Sequence, residues 1–505
     1  MSHNVFELFA GRFAEHLDQP FLSPPGEPSW TFGDIDRRSA AFATVLRRAG
    51  VEPGERLVAQ LGKSVDAVAL YLGCLRAGVI YIPLNTAYTP EEVGYFIGDA
   101  DAKVFVYSPE RAEKVRPVGE IANVPLLLSL GTDGTGTLVE LADTVDPDPT
   151  VIEQGPDDLA CMLYTSGTTG RSKGAMLTHA NLANNALALH SIWRWREGDV
   201  LLHALPIFHV HGLFVALHPA LLNASNVIFL PRFDVDEVRR HLPAATVMMG
   251  VPTYYTRLLA DEAFGADDCN SIRMFTSGSA PMTPGVFKDF TARTGHTITE
   301  RYGMTECGII TSNPPEGKRL AGTVGYALPK VELRVVDDED NILGPDEIGL
   351  VQTKGPNLFP GYWQLPEKTA EEMTDDGFFR TGDIGSMADD GRLTLVGRSS
   401  DMIISGGYNV YPKEIELLLD SIDGVTESAV VGLPHPDFGE GVVAFVVGTE
   451  ELTAELLEKS LAERLARFKQ PKAYFFMDEL PRNAMGKVQK SVLRSDKAEA
   501  FAFDL

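Results

Sequence analysis

The sequence predicts an α/β chain of more than one domain, and three observations lead there. Its 505 residues are more than one compact core accommodates. Short apolar runs alternate with amphipathic stretches up to about residue 310, the pattern of a parallel or mixed sheet covered by helices on both faces. After about Ala327 this gives way to paired short strands with turn residues between them, and then to a small α+β unit.

The elements follow in order. "WTFGDIDRRSAAFATVLRRAG" has Thr31 as an N-cap, apolar residues at helical spacing and a glycine stop. "ERLVAQL" reads as a strand, "SVDAVALYLGCLRAG" as a helix and "VIYIPL" as a buried strand. "PEEVGYFIGDA" and "KVFVYS" repeat the pair. "NVIFLP", "VDEVRRHL", "TVMMGVP", "TYYTRLLAD" and "IRMFTSG" continue the alternation. "KVELRVVDDEDNILGPDEIGLVQTKG" is two strands, and "GFFRTGDIGSMADDGRLTLVGR" a hairpin about Asp390-Gly391. The last unit holds "DMIISGG", the helix "YPKEIELLLDSI", the strands "TESAVVGL" and "GVVAFVVG", the helix "AELLEKSLAERLARF" and the strand "AYFFMD". The junction "VGRSSDM" divides the chain into 1–397 and 398–505.

Bulk properties exclude some functions. A net charge of −26 argues against a nucleic-acid partner and against an anionic membrane surface, so any anionic ligand needs a local, concentrated set of donors. Cys74, Cys161, Cys269 and Cys307 show no C-x-x-C spacing and read as free thiols in a reducing compartment. The N-terminus lacks a basic start followed by an apolar core, so no signal peptide is expected. The most apolar stretch, Leu201 to Leu222, carries four histidines and two prolines and makes a poor membrane span. A cytoplasmic location is the expectation.

The apolar run "LACMLY" feeds the loop "TSGTTGRSKG". Gly167, Gly170 and Gly174 allow backbone N–H groups to approach an anion, Thr165, Ser166, Thr168 and Thr169 add hydroxyls, and Lys173 adds a mobile charge. It is not a Walker A loop, because Ser172 stands before Lys173 where that motif requires glycine.

With its neighbours this loop resembles the signature of the acyl-adenylate-forming (AMP-binding) superfamily, which includes acyl-CoA synthetases and adenylation domains. "SGSAP", "RYGMTE", "RTGD", "GRSSDMIISGGYNVYP" and "PRNAMGK" match further family motifs in the family's order. Within the superfamily, "HALPIFHVHGLFVA", "GVPTYYTRLL", "ERYGMTE" and "NVYPKEIE" are similar to malonyl-CoA synthetases. The resemblance implies a large N-terminal domain of mixed sheets layered with helices plus a β-rich subdomain, and a small mobile α+β C-terminal domain. It implies an ATP-dependent ligase: a carboxylate attacks the α-phosphate of ATP, and coenzyme A then displaces AMP from the acyl-adenylate. By the same resemblance the 165–174 loop, Gly170 included, holds the β- and γ-phosphates and Glu306 holds Mg²⁺. Thr305 contacts the α-phosphate; Gly278, Ser279, Ala280 and Tyr302 frame the adenine; Asp383 and Arg398 reach the ribose. Lys487 bridges the substrate carboxylate and the α-phosphate, and its acylation would remove that charge. His209 stands at the gate between acyl pocket and CoA channel, and Gly406 and Gly407 line that channel. The hinge falls on Ser400, where relatives carry Asp or Lys.

A malonate-type acid keeps a second carboxylate that is costly to bury without a partner and is best matched by arginine. Arg257 and Arg301 occupy the positions the malonyl-CoA synthetase pattern gives to that contact. Val210 and Ile309 leave room for a 2-methyl branch, so methylmalonate is a further expected substrate. Alternatives are a ligase for another short or aromatic acid, a stand-alone adenylation enzyme loading a carrier protein, luciferase-like oxidation, and a nucleotide-binding regulator without turnover.

Overall fold

Thr31 caps the helix Phe32–Arg48 through a capping box with Asp34, and Gly50 follows with φ of 77°, as the start and stop signals predict. The same logic starts the helices Pro90–Asp99, capped by Thr89 and Glu92, and His179–Ile192, capped by Thr178 and Asn181. The structure, a computed structural model, describes residues 3–165, 172–462, 464–483 and 486–497.

Among the described residues the strands form four sheets. One has the order Leu126–Ser129, Val104–Tyr107, Arg56–Gln60, Ile80–Pro83, Leu159–Thr165 and Lys173–Thr178, parallel except for its last pair. A larger sheet is parallel from Ile298–Met304 through Met274–Ser277, Val247–Gly250, Val200–His203 and Asn226–Phe229 to Pro20–Ser23, with antiparallel strands at both ends. Helices cover these sheets, and one hydrophobic cluster runs through both, from Phe6 and Phe42 to Trp193 and Phe214. Such burial on both faces is what near-continuous apolar strands require. The third sheet is the antiparallel set Glu332–Val336, Gly349–Lys354, Phe379–Met387 and Leu393–Arg398, the predicted β-rich region. The fourth carries Tyr408–Val410, Ile403–Ser405, Gly439–Gly448, Val425–His435 and Ala473–Phe476. It packs on the helices Pro412–Leu419 and Ala454–Ala462 through a separate core that includes Ile415, Val430 and Leu457.

Two segments differ from expectation. The helix expected over "AELLEKSLAERLARF" ends as an α-helix at Ala462, and the chain turns through 464–469 to bring Phe468 onto the Tyr408 ring ahead of Pro471. The apolar stretch after Leu201 is strand, loop, and then a π-helical turn His211–Ala216 leading into Leu217–Leu222. Pro219 withholds the N–H that an α-helix would direct at residue 215. No helix among the described residues is long and apolar enough to cross a membrane. All four cysteines are free and buried.

Candidate active site

The strands Leu159–Thr165 and Lys173–Thr178 pair so that Thr165 lies opposite Lys173, which sets the mouth of the predicted phosphate loop at the sheet edge. Ser166, Gly167, Thr168, Thr169 and Gly170 lie outside the described residues. Lys173 Nζ is 3.1 Å from Glu372 Oε1 and 4.0 Å from the centre of the Tyr362 ring. The Tyr362 hydroxyl lies 3.0 Å from Glu306 Oε1 and 2.8 Å from Glu372 Oε2. Thr165 Oγ1 is 3.5 Å from the same Glu306 oxygen. Glu306 is buried and pairs with no cationic side chain among the described residues. Burial pushes its carboxyl above the ordinary range, against hydrogen bonds from its own backbone and from Tyr362. A buried carboxylate short of positive charge, beside a phosphate loop, fits Mg²⁺, which takes one or two carboxylates and completes its shell with water and phosphate oxygens. Thr305, beside it, is part-buried.

A second polar cluster, of the residues expected to hold the nucleoside, is built from two sheets. Asp383, in Phe379–Met387, accepts from the Tyr302 hydroxyl and forms an ion pair at 2.8 Å with Arg398 Nε, across the hairpin the sequence predicts. Burial pushes the Asp383 carboxyl up and Arg398 pulls it back. Gly278, Ser279 and Ala280 form the loop that leaves Met274–Ser277.

That loop also packs against Arg301. Arg301 is 5% exposed, and neither its Nε nor its Nη2 has a hydrogen-bond partner among the described residues. A Cβ on Gly278 would lie 2.5 Å from the guanidinium carbon, so a side chain there would displace the guanidinium. Burial depresses the Arg301 pKa to about 9, and Tyr255 is the one group that opposes this. His209 and His211 lie beside it. Burial and the Arg301 charge hold His209 at about 4 and His211 well below the ordinary value, so both rings are neutral at physiological pH. The His211 backbone N–H donates to His209 Nδ1 at 3.2 Å. Beneath the loop, Lys63 Nζ lies 2.7 Å from His203 Nδ1, and His203 Nε2 lies 2.9 Å from the Gly212 carbonyl.

Tyr255 and Leu258 are the buried residues of the helix Pro252–Ala260, so Arg257 falls on the exposed side. It lies one turn beyond Thr253 on that face, and a Cβ on Gly486 would lie 2.7 Å from Thr253 Oγ1. The turn carrying Lys487 therefore seats over the start of this helix. Lys487 is held by a bond from its N–H to Asn483 Oδ1 at 3.0 Å. Its ammonium pKa is lowered by burial and Arg398, while Asp383 and Asp401 raise it. Arg494 bonds Asp401 at 2.8 Å, tying the helix Lys490–Asp496 to the residue after Ser400. Ser400 is exposed in the short 3₁₀ turn Ser399–Asp401. Gly406 and Gly407, with φ of 59° and 82°, turn the hairpin between Ile403–Ser405 and Tyr408–Val410 and lie exposed on the C-terminal sheet.

Tyr362 and Glu372 were not singled out by sequence. They come from "PGYWQLPEKTAEEM", far along the chain from the phosphate loop, and carry no motif of their own. His211 lies in "HALPIFHVHGLFVA", and its spacing of two from His209 is the available signal.

Residues 9–363 match the family described as AMP-binding enzyme, and residues 414–487 match its C-terminal domain. A malonate–CoA ligase of Arabidopsis thaliana is 34% identical over 87% of this chain and 78% of its own length. A feruloyl-CoA synthase of Amycolatopsis sp is 34% identical over 93% of this chain and 94% of its own. Among solved structures, ATP-bound MatB from Rhodopseudomonas palustris superposes with a TM-score of 0.95 at 46% identity, covering 99% of this chain and all of the other.

Proposed function

The chain belongs to the AMP-binding enzyme family and is an ATP-using acid–thiol ligase, and from that premise we propose that its acid is malonate, with methylmalonate also accepted. The observation that carries this reading is Arg301: a buried guanidinium with two N–H positions unused and no carboxylate acting on it. Burying such a group without a partner is costly, so the pocket is complementary to an anionic tail and not to an aliphatic or aryl one. The similarity to the Arabidopsis malonate–CoA ligase supports it. The feruloyl-CoA synthase, equally similar in identity, is the reason the acid is a proposal.

In the first half-reaction a carboxylate oxygen of the acid attacks the α-phosphorus, the bond to the α,β-bridging oxygen breaks, and pyrophosphate leaves. Two anions meet, so positioning and charge neutralisation supply the catalysis. We assign Lys487 to bridge the reacting carboxylate and the α-phosphate, Thr305 to contact that phosphate, and Asp383 with Arg398 to hold the ribose. Gly278, Ser279, Ala280 and Tyr302 frame the base. Lys173 and the loop from Thr165 hold the outer phosphates, with Tyr362 and Glu372 positioning Lys173. Mg²⁺ on Glu306 would supply charge neutralisation for those phosphates. In the second half-reaction the sulfur of coenzyme A attacks the acyl carbon and AMP leaves. His209 guards that approach, and Gly406 and Gly407 are assigned to the CoA channel after rotation of 398–505 about Ser400. Arg257, exposed beside the Lys487 turn, adds positive charge at the mouth. Val210 lines a small cavity with Thr305, Gly308 and Phe214, which supports room for a 2-methyl group. Acylation of Lys487 would block the first half-reaction alone.

CoA-dependent AMP release measured on malonate, methylmalonate, succinate, acetate, octanoate and benzoate tests the reading. Malonate should give the highest kcat/KM. A preference for benzoate or octanoate would overturn it.

A further inference from the structure

We propose that His211 is a specificity-determining residue of the acid pocket, its Nε2–H donating to the distal carboxylate of the dicarboxylic acid, and that Ser279 is the positioning residue that sets this tautomer. The proposal rests on the malonate reading and extends it to two residues not assigned to that carboxylate.

His211 is 1% exposed, and its Nε2 has no hydrogen-bond partner. Its Nδ1 lies 3.2 Å from Ser279 Oγ. Ser279 reaches it from a left-handed backbone, φ 69°, which non-glycine residues seldom adopt and which clusters at functional sites. A neutral imidazole carries one N–H, and its position follows from what the other nitrogen does. Neutrality is secured by burial and by the Arg301 charge. With Ser279 donating to Nδ1, the proton resides on Nε2. The opposite tautomer would leave a bare acceptor at Nε2 beside Arg301, whose Nε and Nη2 are themselves unused, yet the two do not bond. Three buried donor nitrogens, Nε and Nη2 of Arg301 and Nε2 of His211, are then without an acceptor among the described residues. Among the described residues, no carboxylate is among the charges acting on either residue. Glu300, the neighbour of Arg301 in the strand, faces the other side and accepts from the Gly322 N–H at 3.2 Å. The missing acceptor is therefore one that arrives with the substrate.

The test is steady-state kinetics on malonate and propionate with His211→Phe, His211→Asn, Ser279→Ala and the double variant His211→Phe/Ser279→Ala. His211→Phe should lower kcat/KM for malonate at least tenfold, mainly through KM, and leave propionate within about threefold. His211→Asn, which keeps an N–H donor, should recover part of the malonate loss. Ser279→Ala should lower malonate turnover less than His211→Phe, and should add nothing in the His211→Phe background. A Tm and a far-UV circular dichroism spectrum close to the wild type's check that each variant is folded. Equal losses on both acids, or a Ser279→Ala effect that persists in the double variant, would overturn the proposal. A wild-type enzyme that ignores malonate sinks the parent reading. One that uses malonate in an Arg301-dependent way, but is indifferent to His211, sinks only this one.

Discussion

Replacing Arg301 by methionine should move activity and stability in opposite directions. The guanidinium supplies a charge-assisted bond to the acid, a contribution of roughly 1.5–3 kcal/mol. Its loss also leaves a buried carboxylate without its partner, which raises the cost to about 3–5 kcal/mol. At about 1.36 kcal/mol per decade, kcat/KM for malonate should fall by about 10²–10³-fold. In the free protein the same side chain is a liability: two buried N–H groups lack partners, at about 1–3 kcal/mol each. Its pKa of about 9 expresses the same strain. A base whose folded pKa is depressed is penalised wherever it is charged, so the penalty is complete at neutral pH and eases only above about pH 9. Arg301→Met should therefore unfold a few degrees higher without ligand, and the rise in Tm that malonate gives the wild type should vanish. The assays are AMP release with malonate and butyrate, and thermal unfolding with and without malonate. Equal losses on both acids together with a lowered Tm would mean that Arg301 only supports the 302–306 segment.

Lys487→Ala should slow adenylation by at least about 10²-fold, while supplied acyl-adenylate is still converted to thioester; equal loss in both half-reactions would refute the assignment. Gly486→Ala introduces a Cβ 2.7 Å from Thr253 Oγ1 at a φ of 72°, so it should likewise slow adenylation at least tenfold with thioester formation from supplied adenylate retained. Glu300 is raised by burial to about 8 from an ordinary 4.5, so its contribution to stability is complete below pH 4.5 and is lost as pH rises towards 8. Glu300→Gln should leave Tm at pH 4.5 nearly unchanged and raise it at pH 8, by an amount on the order of 3 kcal/mol in stability, read by thermal unfolding across pH.

The alternation of strand and helix was legible because capping residues such as Thr31 and Thr89 and glycines such as Gly50 act locally. The order of strands was not: Leu22 pairs with Val227, a contact that no local pattern encodes. The π turn at His211–Ala216 was hidden because the stretch is apolar all round and has no face to give a period. Glu306 and Asp383 were read through motifs, and the structure buries both within a polar cluster. Tyr362 and Glu372 complete that cluster from a loop whose residues look like ordinary surface chemistry in one dimension. Arg257 was grouped with Arg301 by resemblance, whereas the apolar spacing of Tyr255 and Leu258 already placed it on the other face of its helix.

The contact between Gly278 and Arg301 imposes an order on any drift in substrate class. A side chain at 278 meets the guanidinium, so widening residue 278 while arginine stands at 301 displaces that guanidinium from its place in the pocket. The reverse path is open: shortening 301 first frees the space that an alanine or serine at 278 would occupy. Descendants that abandon dicarboxylic acids should therefore pass through a glycine at 278 facing a small neutral residue at 301. A return to dicarboxylic acids must restore the glycine before the arginine. The two positions form a ratchet, and reconstructed ancestors of mixed specificity should be found on one side of it only.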